Sequence, residues 1–76
     1  MNKQRRKELQ RILDIVQEAI EGLEPLRDEE IEYRDNIPEN MQSSEIYEKA
    51  NDAVDALDEA ISCLEETTTY IQSAIE

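Results

Sequence analysis

Glu48, Asp52, Asp55, Glu59 and Glu66 stand at intervals of four, three, four and seven residues, the spacing of one exposed line along an α-helix. At a rise of 1.5 Å per residue, neighbours on that line lie on the order of 5 to 6 Å apart along the axis, close to the phosphate spacing of one nucleic-acid strand. Two chemistries use such a row: metal binding and imitation of a polyanion. Metal binding fits poorly. Glu29 and Glu32, Glu45 and Glu48, and Asp52 and Asp55 each share a helix face, but di-metal sites in bundles combine inward carboxylates with Glu-x-x-His pairs, and these positions point outward. The calcium-loop pattern with its central glycine is also missing. No metal or cofactor is expected, and the row reads as a ridge able to enter a cationic groove on a partner protein. Any soluble bundle helix favours a charged outer face. This one differs in having almost no Lys or Arg among its acids, so it forgoes the i,i+4 ion pairs that mixed surfaces gain.

Residues that enzymes use as bases and nucleophiles are scarce. The chain has no His, which removes Ser-His-Asp and Cys-His arrangements. Its single cysteine, Cys63, has no cationic neighbour in sequence to stabilise a thiolate and reads as a packing residue on a bundle flank. One glycine cannot build a phosphate-binding loop. Enzyme activity is not expected.

A second charged cluster, Lys3, Arg5, Arg6, Lys7 and Arg11, sits where cations oppose the dipole of a helix start. Two accounts are open. The cluster can neutralise the negative end of a second helix lying beside it, or several copies can gather Arg5, Arg6 and Lys7, with Tyr33 or Tyr47, into a pocket for an anionic nucleotide. The two tyrosines also read as a packing pair across a turn.

The elements that position these groups follow from apolar periodicity. Leu9, Ile12, Leu13, Val16, Ala19, Ile20 and Leu23 form one helical stripe. Ala50, Leu57, Leu64 and Ile71 recur every seven residues, as do Tyr47, Val54, Ile61, Thr68 and Ile75, with Ala53, Ala60 and Ala74 between them. Residues 35–44 hold turn formers and Pro38, and Ser43 or Ser44 is placed to cap a second helix. The prediction is all-α: a helix from about Asn2 to Arg34, a polar turn, and a helix from about Ser44 to Ile75, in one domain spanning 1–76. Pro25, after Gly22, should kink the first helix. In an antiparallel hairpin, paired residue numbers sum to about 80, which sets Leu23 against Leu57 and Val16 against Leu64. Leu9, Leu13, Val16, Ile20, Leu23, Val54, Leu57, Ile61, Leu64 and Ile71 are the expected core of the oligomer. Each stripe is three columns wide, and a two-helix contact covers about two. The spare column predicts a homodimeric four-helix bundle or a larger helical oligomer.

Composition agrees. The 76 residues carry a net charge of −12, and from Asp28 onward fifteen acidic residues face only Arg34 and Lys49. High charge with three aromatic residues is also the mark of disorder, but disordered chains lack sustained periodicity. A chain this short buries little alone, which again favours self-association. No apolar run is long enough to span a bilayer, no secretory signal is apparent, and acidity disfavours direct contact with nucleic acid or anionic membrane. A cytoplasmic protein is expected.

The stretch Asp35-Asn36-Ile37-Pro38-Glu39-Asn40-Met41-Gln42-Ser43-Ser44-Glu45, with Asp28-Glu29-Glu30 before it and residues 53–61 after it, resembles a group of small acidic helical-hairpin proteins of bacteria, phages and mobile elements. The resemblance spans nearly the whole chain, specific in the turn and generic in the heptads. It implies a two-helix hairpin and a mobile-element setting, and it supplies no binding residues. Pro25 departs from the group. The functional expectation is a non-enzymatic interaction protein, an inhibitor that blocks a basic, nucleic-acid-binding type of site through the acidic ridge. The alternatives are a nucleotide-sequestering oligomer and a purely structural one.

Overall fold

The computed structural model describes all residues, Met1 to Glu76, and contains two long α-helices, one short 3-10 turn and no strand. Helix α1 spans Lys3–Asp35 and helix α2 spans Glu45–Ile75, within one residue of the expected boundaries. Local chemistry sets each end. The Asn2 side chain accepts from the Arg5 backbone N–H at 2.8 Å, and Ser44 caps α2 by accepting from the Tyr47 N–H at 3.3 Å. Glu45 and Glu48 lie in the first turn of α2, where the helix dipole favours them, and α1 has no acid in its first turn.

Two features that ordinarily interrupt helices are absorbed. Pro25 lies inside α1, where it removes one backbone bond, yet the helix is continuous from end to end. Thr67, Thr68 and Thr69 lie inside α2 with their hydroxyls turned back onto the carbonyls of Cys63 and Glu65. That satisfies the hydroxyls locally at a modest cost in helix regularity.

The connection is a chain of short backbone bonds. The Asn36 N–H donates to Glu32, Ile37 to Arg34, Met41 to Pro38, Gln42 to Glu39 and Ser44 to Met41. Ile37 is the one buried residue of this segment and turns inward.

The two helices pack against each other along their length, giving a rod of 59 × 15 × 13 Å. Of the residues expected in the core, Leu13, Val54 and Ile61 are buried in the hairpin seam and Leu9, Val16, Ile20, Leu23, Leu57, Leu64 and Ile71 are half-buried there; Ala50, outside that expectation, is buried beside them. The all-α hairpin is thus the fold.

Past Pro25 the seam includes charged side chains as well as apolar ones. Of the apolar residues beyond Pro25, Ile31 is half-buried while Leu26 and Tyr33 are each 54% exposed, and the seven-residue step from Leu13 and Ile20 leads to Arg27 and Arg34, both half-buried. Arg27 donates across the seam to Asp58 at 3.2 Å, and Arg34 to Asn51 at 3.0 Å. Both pairs have numbers that sum to 85, whereas Arg6 meets Ile75 at a sum of 81. These sums describe where side-chain tips meet, and the helix ends facing each other across the turn, Asp35 and Glu45, have numbers that sum to 80. Long arginine side chains lean toward the start of their own helix and bridge that offset.

Candidate functional site

Heptad geometry gives the rod sides of different chemistry. Glu48, Asp52, Asp55, Glu59 and Glu66 are all exposed, on two adjacent outer columns of α2. None of the five forms an ion pair: the chain's salt bridges join Arg27 to Asp28 and Asp58, Arg34 to Asp35, and Lys49 to Glu45. Glu59 accepts a long contact from the Cys63 thiol at 3.9 Å, and Glu66 accepts from the Tyr70 hydroxyl at 3.3 Å. Helix α2 thus presents these five carboxylates in water, aligned and without cationic partners. No three or more carboxylate or thiol side chains converge as metal ligands.

The basic end is arranged differently. Arg6 donates its Nε to the Ile75 carbonyl at 3.1 Å, at the negative end of α2. A last-turn carbonyl that α2 cannot satisfy internally thereby gains a charged donor. Consecutive helix positions are rotated by about 100°, so Arg5, Arg6 and Lys7 point in three directions. Tyr33 lies roughly 40 Å further along α1 at 1.5 Å per residue. It is on an exposed outer column, whereas Tyr47 is half-buried at the start of α2. Within one chain these five residues do not form a pocket. Two shallow grooves run along the first turns of α1, one lined by Met1, Arg5, Glu8, Leu9, Arg11 and Ile12, and both are open to solvent.

Arg27 and Arg34 are the residues that apolar periodicity missed. Arg27 donates to Asp58 and to Asp28, and these carboxylates, Asp58 first, raise its already high pKa. A seven-residue count carried through Pro25 would have found both arginines. Counting apolar residues alone leads to Leu26, Ile31 and Tyr33, of which only Ile31 is half-buried.

The third surface is an apolar flank. Ile12, Ile15 and Leu26 on α1 are 39%, 49% and 54% exposed, and Tyr70 on α2 is 67% exposed. Between them lie exposed small residues, Ala19 and Gly22 on α1 and Ala56 and Cys63 on α2. A Cβ added at Gly22 would meet nothing within 4 Å, so no packing inside the hairpin requires a glycine there. No helix is long and apolar enough to cross a membrane.

Comparison with family models, with curated proteins and with solved structures gives no match.

Proposed function

We propose that this protein is a non-enzymatic, self-associating interaction protein whose α2 carboxylates occupy a basic site on another protein. The observation that carries this reading is the exposed line Glu48, Asp52, Asp55, Glu59 and Glu66, none of which pairs with a cation in the chain. Unpaired charge on an exposed helix contributes little to folding and costs self-repulsion, whereas the same charge steers association with a cationic groove. A groove built for a nucleic-acid backbone suits the spacing of the row. Action in the cytoplasm, as an inhibitor of host machinery in a phage or mobile-element setting, is the context that the turn resemblance suggests.

Affinity capture from a host lysate tests this, with wild-type protein and an Asp52→Lys, Asp55→Lys, Glu59→Lys variant side by side. Basic proteins are expected on the wild type and absent from the variant. Equal recovery on both would remove the ridge from the account.

Sequestration of an anionic nucleotide is the second reading, and it needs the basic ends and tyrosines of more than one chain. Calorimetry against a panel of cyclic nucleotides tests it, and no heat from any member leaves it without support. A purely structural oligomer is the reading that remains if neither protein nor nucleotide binds.

A further inference from the structure

We infer that the apolar flank of the hairpin is covered by a second copy of the same chain, laid antiparallel, so that each helix crosses its own copy at mid-length. This rests on the self-association part of the functional reading and not on the acidic ridge.

The chain exposes more surface than its mass requires. It exposes 5696 Å² and buries five of its 76 residues. A compact monomer of its 8.9 kDa mass exposes about 4,800 Å². The excess, about 900 Å², is close to the roughly 800 Å² that each partner contributes to a standard interface.

Charge says what covers the flank. Beside the seam, α1 carries two outer columns through Ile12, Ala19, Leu26 and Tyr33 and through Met1, Ile15 and Gly22, and α2 carries the matching pair through Ile46, Ala53 and Ala60 and through Ala56, Cys63 and Tyr70. In an antiparallel hairpin these columns lie on the same side of the rod. Their charged members are Arg5, Glu8, Glu29 and Lys49, two of each sign, so this side is neutral in a chain of net charge −12. The whole excess of acid lies on the other columns. Two copies can therefore meet on this side with their unbalanced carboxylates turned away.

The ends of the rod set the orientation. Residues 1–11 with 66–76 carry five basic and three acidic side chains, and residues 27–49 around the turn carry three basic and eight acidic ones. Laying two rods antiparallel places the basic end of each beside the acidic turn of the other. A parallel arrangement would set the two acidic turns together. Stacking that reverses the rods places α1 on α1 and α2 on α2 about a two-fold axis, an isologous contact. Full overlap puts that axis near the middle of each helix, where the flank has its smallest residues: Ala19 and Gly22 on α1, Ala56, Ala60 and Cys63 on α2. Gly22, with open space around it, stands where two α1 helices approach most closely. Ile12, Ile15 and Leu26 then pack on either side.

Sedimentation equilibrium and pulsed electron-spin distance measurement test this on the full chain. The wild type is expected at dimer mass. The Gly22→Glu variant is expected at monomer mass with unchanged helical circular dichroism, since its side chain meets nothing in the hairpin. With Cys63→Ser, Asn40→Cys and a spin label at the turn tip, the expected distance approaches the 59 Å length of the rod. A monomeric wild type overturns the interface together with self-association. A dimer with the two labels within the rod's 15 Å width overturns the antiparallel arrangement alone, and a folded Gly22→Glu variant that still dimerises overturns the flank.

Discussion

Leu13 and Arg27 hold the same column of the same helix and show how thin the hairpin seam is. Leu13 is 3% exposed, and Leu13→Ala should destabilise the hairpin by about 2–3 kcal/mol, the lower part of the range for core leucines because a solvent-flanked seam can relax around the gap. Chemical denaturation checks this, and a loss within error of zero would mean that the seam does not hold the fold. Arg27 occupies the equivalent position two heptads on, where Asp58 and then Asp28 raise its pKa. A raised cationic pKa favours the folded state fully below the ordinary arginine value and is lost only as pH rises through the folded value. The Arg27 contacts therefore contribute evenly through neutral and mildly acidic pH. Any pH dependence of stability there belongs to the carboxylates collectively. Leu9, Leu13, Val16, Ile20 and Leu23 were legible as core because apolarity and period agree. Arg27 and Arg34 were not, because their alkyl stems line the seam while their charged ends would ordinarily mark an outer face.

At the scale of the helices, local signals sufficed. Asn2, Ser44, Pro38 and the polar run between the helices fix where each begins and ends, because capping and turn formation involve near neighbours in sequence. The partners of Arg27 and Arg34 were less legible, because how far those side chains reach along α2 does not follow from period alone. Pro25 interrupts the bond pattern of α1 without splitting it, and the one long helix expected on both sides of it is present. Its cost persists as a missing backbone bond, so Pro25→Ala should raise stability by up to about 3 kcal/mol, visible as a higher melting temperature. A lower melting temperature would show that proline at this position supports a contact the hairpin alone does not contain.

As a whole molecule, the chain is a rod with a neutral apolar flank and a net charge of −12 on its remaining surface. Twenty acidic groups facing eight basic ones repel one another, and the rod is held by a seam with few fully buried side chains. Its melting temperature should therefore rise with added salt, and rise again as pH falls from neutral toward the isoelectric point near 4.2. Melting temperatures that fall under both changes would mean that attractive pairs, not repulsion, dominate the surface. The ridge of Glu48, Asp52, Asp55, Glu59 and Glu66 was legible as a line of acid from spacing alone. That it lacks cationic partners became visible only with Arg27, Arg34 and Lys49 placed against other carboxylates. We propose that this line fills a site that a nucleic-acid backbone would otherwise occupy. The most direct test is elution of proteins captured on the immobilised wild-type chain with short duplex DNA at constant ionic strength. Basic proteins retained through Asp52, Asp55 and Glu59 are expected to leave with the DNA, and their remaining bound in saturating DNA would contradict a shared site.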